Sequence, residues 1–283
     1  MSPNLNYCRQ MTKQFLGLLS VPNLPPLGRV QLSQCVDLAS AAQKFLLPEG
    51  GRPYDDPEFR AIDENEPLRL PHPIIALEYR RSSNPVFLKP GQDFTGKAIV
   101  FVRERDDHIS LTCVNFANHA GTWVPYPEVR LPLAGYLVRD QSGVSIMASV
   151  EDPSIPRDEY SDEVGALFCF LNVLNCHNIR VEQSRPERAL QSAAAKRGAL
   201  PFDTYHVLTV DAPTAPGALG VGGPHRSPRE HLRRGHIRRL EDGRKTWVNA
   251  TVVAAGRGAG KVTKDYLIRG PRQNDTKTTP LFA

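Results

Sequence analysis

Between residues 73 and 149 the chain is a succession of short extended runs separated by turn residues, and this spacing constrains the fold more than any other feature. The runs fall at Ile74–Tyr79, 98–103, 109–116, 122–124, 133–138 and 144–148. Ser82-Ser83-Asn84-Pro85, Lys89-Pro90-Gly91, Arg105-Asp106-Asp107 and Gln141-Ser142-Gly143 punctuate them. Strands this short, joined by turns of this length, predict an antiparallel meander. Helical spacing of apolar residues predicts a helix at 31–47, an apolar run after an acidic stretch one at 164–174, and the capping-box spacing Ser184-Arg-Pro-Glu187 one at 185–197, with a short apolar helix inside 1–30. Two further strands are expected, at 179–182 and at Tyr205–Val210. The expected class is α+β: an antiparallel β-meander with packed helices plus a C-terminal basic β-hairpin module.

That module centres on Asp242-Gly243, a strong short-range hairpin signal between two extended runs. With a two-residue turn there, Arg238 faces Trp247 and His236 faces Asn249. Side chains alternate across a strand. One face then holds Gly235, Ile237, Val248, Ala250 and Val252 and can bury. The other holds Arg234, His236, Arg238, Trp247, Asn249 and Thr251 and is expected to be exposed.

Charge is unevenly placed. From His225 to Arg272 there are thirteen Lys or Arg against four acids, a net +9, which leaves −4 for the remainder of a chain of net +5. A mildly acidic body with a strongly basic C-terminal module points to a polyanionic partner. The expected organisation is an α+β body at 1–210, a Pro-, Gly- and Ala-rich linker at 211–229, the basic β module at 230–269 and a flexible tail at 270–283. Nucleic-acid contacts are expected from Arg229, His231, Arg233, Arg234, His236, Arg238, Arg239, Lys245 and Trp247. Arginine favours bidentate phosphate contacts, and an exposed indole would stack on an unpaired base. No basic helix is available for a duplex groove, so RNA or a ribonucleoprotein is the expected partner.

Other chemistries fit less well. Gly256-Arg-Gly-Ala-Gly260-Lys261 lacks the first Gly and the final Ser or Thr of a phosphate loop, and an extended run follows it. His231 and His236 are five positions apart, on opposite faces of a regular strand, and the five cysteines form no Cys-x-x-Cys, so no metal and no cofactor are expected. A metal-independent ribonuclease is the alternative, with His236 as general base and Arg234 and Arg238 holding phosphate charge. A second alternative is a protein-binding inhibitor acting through the body. No apolar run approaches the ~20 residues that span a bilayer, and no secretory pattern opens the chain. No membrane partner is expected, and the location expected is cytoplasmic.

The run Pro228-Arg229-Glu230-His231-Leu232-Arg233-Arg234-Gly235-His236, followed by Gly243 and Trp247, resembles a C-terminal module of phage and mobile-element proteins. The type V-A anti-CRISPR that suppresses production of its target nuclease ends similarly. The likeness covers about the last fifth of the chain. Ile237 stands where that module often has an aromatic, and Asn249-Ala250 where a Pro often follows the Trp. The resemblance implies a phage-encoded regulator in a bacterial host cell, acting near RNA or nascent protein, with a host defence protein as a further partner.

Overall fold

The computed structural model describes residues 5–54, 68–81, 94–134, 137–140, 143–146, 149–150, 160–210, 231–233, 236–248 and 251–253. The elements run α1 (Tyr7–Leu19), α2 (Pro26–Ala41), β1 (Gln43–Leu46), β2 (Ile74–Tyr79), β3 (Phe94–Glu104), β4 (His108–Ala117), β5 (Thr122–Pro125), β6 (Val129–Pro132), β7 (Leu137–Asp140), β8 (Gly143–Ile146) and β9 (Ser149–Val150). Then come α3 (Ser161–Leu174), β10 (Ile179–Ser184), α4 (Arg188–Lys196), β11 (Tyr205–Val210), β12 (His231–Arg233), β13 (His236–Arg239), β14 (Lys245–Val248) and β15 (Thr251–Val253). The class is α+β, as expected.

A nine-stranded sheet in the order β10-β11-β1-β2-β3-β4-β6-β9, with β5 also on β4, forms the middle layer. The antiparallel meander runs from β2 to β6. β1 makes the sheet mixed, because it lies parallel to both β2 and β11. The helix expected at 31–47 therefore stops at Ala41. Phe45, Leu46 and Leu47 are all buried, and a short apolar run covered on both sides suits a parallel strand. Such a run cannot be told from a helix end by spacing alone.

Helices cover both faces of the sheet, and the alternation of each strand divides the core in two. Ile75, Leu77 and Tyr79 of β2, Ala98, Val100 and Val102 of β3, and Ile109, Leu111 and Cys113 of β4 pack with α3. Ala76, Ile99, Phe101 and Val114 pack with α1 and α2. α3 is buried over every residue from Glu163 to Val173, which explains its lack of a polar side. Its first turn carries Asp162 and Glu163. The Arg81 guanidinium sits 2.7 Å from the Glu163 carboxylate and 3.5 Å from that of Asp162, fixing the start of α3 to the end of β2. Burial pushes the Glu163 carboxyl up, and Arg81 opposes it.

A second buried carboxylate anchors α1. Asn6 precedes the helix with φ 52° and makes no side-chain cap. The Tyr7 and Cys8 N–H groups donate instead to the two oxygens of Glu78 on β2, at 2.8 and 3.0 Å. The Tyr205 hydroxyl of β11 donates to the same carboxylate at 2.7 Å. Glu78 thus does from the sheet what a local cap does elsewhere, satisfying N–H groups that a helix start leaves without intrahelical partners.

Replacing Glu78 by Gln offers one acceptor oxygen where the fold uses two. The variant is expected to lose about 1–3 kcal/mol in urea unfolding. Burial raises the Glu78 carboxyl in the folded state. Its contribution is therefore largest below the unfolded carboxylate range and declines as pH rises through the folded value, so the gap to Glu78→Gln narrows with rising pH. A urea midpoint left unchanged by Glu78→Gln would contradict the anchoring role.

Candidate nucleic-acid interface

β13 and β14 form the expected antiparallel hairpin, with a register one residue away from the expected one. His236 faces Val248, Ile237 faces Trp247, Arg238 faces Thr246 and Arg239 faces Lys245. β12 and β15 form a second antiparallel pair, His231 facing Val253 and Arg233 facing Thr251. The cause is the turn. The Leu240 N–H donates to the Arg244 carbonyl at 2.8 Å, and the Gly243 N–H donates to the Leu240 carbonyl at 3.0 Å. Three residues, Glu241, Asp242 and Gly243, therefore form the loop. Gly243 takes φ 83°, a left-handed value that glycine adopts without strain. Asp242 accepts the Arg244 N–H at 3.1 Å and its Nε–H at 2.7 Å, closing the turn from the side. Asp-Gly serves this three-residue loop as well as a two-residue one. The difference of one residue exchanges which side chains share a face across the pair.

The expectation of an exposed Trp247 is corrected by this register. Trp247 is 5% exposed and belongs to the core beneath α3, with its ring 5.9 Å from that of Tyr54 in an edge-on arrangement. Ile237, its cross-strand partner, packs against the same core. Stacking of the indole on an unpaired base is therefore not available. Lys245, expected among the surface cations, is also buried, at 8% exposure, and bears on Cys176. Burial pushes the Cys176 thiol up to about 12, and Lys245 pulls against it.

The hairpin is fastened to the body along the outer edge of β14. Asn178 Oδ1 accepts the Trp247 N–H at 2.7 Å, and Asn178 Nδ2 donates to the Trp247 carbonyl at 2.9 Å. One amide side chain thus imitates the backbone of a neighbouring strand. The His177 N–H donates to the Lys245 carbonyl at 3.0 Å. His177 Nδ1 lies 2.8 Å from the same carbonyl, so that nitrogen carries the hydrogen. Leu240 and Arg244 form a hydrogen-bonded pair in the ladder, so Lys245 and Trp247 direct their backbone groups away from β13. His177 and Asn178 meet them there. Neither residue carried a readable signal in the sequence, because both lie in the turn between α3 and β10, 68 and 69 positions from their partners.

Of the expected contact residues, Arg238 and Arg239 are exposed on opposite faces of β13, and His236 is half-buried on the face of Arg238. Arg244 is exposed at the tip, its guanidinium 2.7 Å from the Asp242 carboxylate. His231 and Arg233 lie on β12, paired with β15. Arg229 and Arg234, the linker 211–229, the glycine-rich loop 256–261, the extended run that follows it and the tail 270–283 lie outside the described residues. Among the described residues no group of three or more His, Cys, Asp and Glu is placed to hold a metal ion. All five cysteines are buried, and none is in a disulfide. No helix among the described residues is long and apolar enough to cross a membrane. No family model, curated protein or solved structure matches the chain.

Asn178→Ala would leave both Trp247 backbone groups without their partner inside the protein, and thermal unfolding is expected to show a loss of about 1–3 kcal/mol. Asn178→Asp keeps the acceptor and removes the donor, so it should fall between Ala and wild type. Equal stability of all three proteins would mean that the hairpin is not held by this amide.

Proposed function

We propose that the protein binds RNA or a ribonucleoprotein electrostatically, through the basic segment that contains the docked hairpin. The observation that carries this reading is the placement of charge, +9 between His225 and Arg272 against −4 elsewhere. The docking of β14 supports it, because a hairpin held through its backbone and Trp247 presents Arg238 and Arg239 from a rigid mount. With the indole buried, affinity comes from guanidinium–phosphate contacts, so sequence preference is weak and salt dependence steep. The resemblance of the last fifth of the chain to phage and mobile-element modules makes a host defence complex the first place to look for the partner.

A second reading, a protein-binding inhibitor acting through the body, is favoured by a separate observation. Leu16, Leu18, Val21, Leu27 and Val30 are exposed large apolar residues within 15 positions of one another on α1, α2 and their connection. Deleting residues 225–283 would not separate the two readings, since it removes Trp247 from the core. Surface substitutions do.

Binding of a labelled single-stranded RNA is expected to weaken linearly on a log–log plot against salt. Arg238→Glu combined with Arg239→Glu should weaken it by roughly tenfold or more at fixed salt, with the RNA intact in EDTA. Absence of binding at low salt, or binding indifferent to salt and to the double variant, would contradict the proposal. RNA cleavage in EDTA that is lost in His236→Ala would replace it with the ribonuclease reading.

A further inference from the structure

β10 forms one border of the nine-stranded sheet, and among the described residues its strand partner is β11 alone. The two pair over six residues, Ile179 with Val210 through Ser184 with Tyr205, with no shift of register. Residues 180–183 are all exposed, and Val181 is 43% exposed. Border strands are commonly guarded by Pro, by Lys or by a bulge. The sequence Ile-Arg-Val-Glu-Gln-Ser contains neither residue and the ladder no bulge; its charges, Arg180 and Glu182, are of opposite sign, so they oppose some pairings and favour others. Ile179 donates its N–H to the Cys176 carbonyl at 3.0 Å, not to β11. By the alternation of an antiparallel ladder, Val181 and Gln183 then direct their N–H and C=O groups outward, as Ile179 does.

We propose that β10 is a self-complementary edge to which a second copy of this chain adds, antiparallel, about a two-fold axis at Val181. In that register Val181 meets Val181 of the second copy, and Arg180 meets Glu182 in both directions. Cross-strand pairs of opposite charge stabilise a ladder and pairs of like charge oppose it. Sliding the copies by two residues one way sets Arg180 against Arg180, and the other way sets Glu182 against Glu182. Sliding by one brings together residues whose side chains lie on opposite faces. A parallel arrangement in the same alignment opposes like charges at both positions. The charge pattern therefore selects one register, and the outward groups of Val181 suit it. A two-fold contact of this kind is isologous and closes at two copies. A ladder this short buries less than the roughly 1,200–2,000 Å² of a standard interface, so the dimer depends on concentration. The pairing does not depend on the nucleic-acid reading, although β14 is fastened to the two residues that precede β10, so a dimer would bring both hairpins to the junction.

Sedimentation of the full-length protein tests this across a concentration series from about 1 to about 200 μM, the range in which a small contact dissociates. The average mass is expected to rise from 31.4 kDa toward twice that value. Arg180→Glu alone and Glu182→Arg alone each set like charges opposite one another, and each should weaken association by roughly tenfold or more. The double variant Arg180→Glu/Glu182→Arg should restore it. A wild-type protein that stays monomeric throughout overturns the proposal. So does a dimer indifferent to both single variants, or a folded double variant that does not recover, with folding checked by circular dichroism.

Discussion

Trp247 enters the core as a side chain and is held by its backbone at the same time. Its ring lies against Tyr54 under α3, while Asn178 takes both its N–H and its carbonyl. The two contacts need one another. A strand edge brought against a core leaves polar backbone groups where water is scarce, and a buried group without a partner costs about 1–3 kcal/mol. Asn178 removes that cost at a single residue, having both a donor and an acceptor on one planar group. Once Trp247 is seated, the alternation of β14 also takes Lys245 inward, and the pairing with β13 takes Ile237 inward. The exposed cations are left at the rim and tip of the hairpin, Arg238, Arg239 and Arg244. The basic segment thus owes its position to an apolar anchor.

The body solves the burial of charge in two different ways. Glu163 is met by the guanidinium of Arg81, an ion pair across the start of α3. Glu78 is met by two backbone N–H groups and a tyrosine hydroxyl, hydrogen bonds that favour the carboxylate while burial opposes it. Each arrangement ties a helix start to β2, one on each face of the sheet. The central strand is therefore the place where the two helical layers are registered against each other, and a buried charge with its partner removed is costly.

Much of this was legible in the sequence where a single run decided the matter. β2 and β11 begin and end where their apolar runs do, since strands covered on both faces read as continuous hydrophobic segments. The Asp242-Gly243 pair announced a hairpin. It did not announce the loop length, and one residue of difference turned Trp247 from a surface ring into a core one. β1 was hidden because Ala41, Ala42, Phe45 and Leu46 satisfy helical spacing as well as a buried strand does. Glu78 and Asn178 could not be read at all. Their roles depend on partners about 70 positions away, and nothing local to a glutamate inside an apolar strand or an asparagine in a turn specifies them.

The seating of Trp247 can be measured by its own fluorescence in the variant Trp123→Phe, which leaves it as the single indole of the chain. The account predicts blue-shifted emission poorly quenched by acrylamide in the native protein, becoming red-shifted and readily quenched in Asn178→Ala before the body unfolds. Emission that is already red-shifted and fully quenchable in the native protein would contradict it, because the ring would then lie in water and the hairpin would be unanchored.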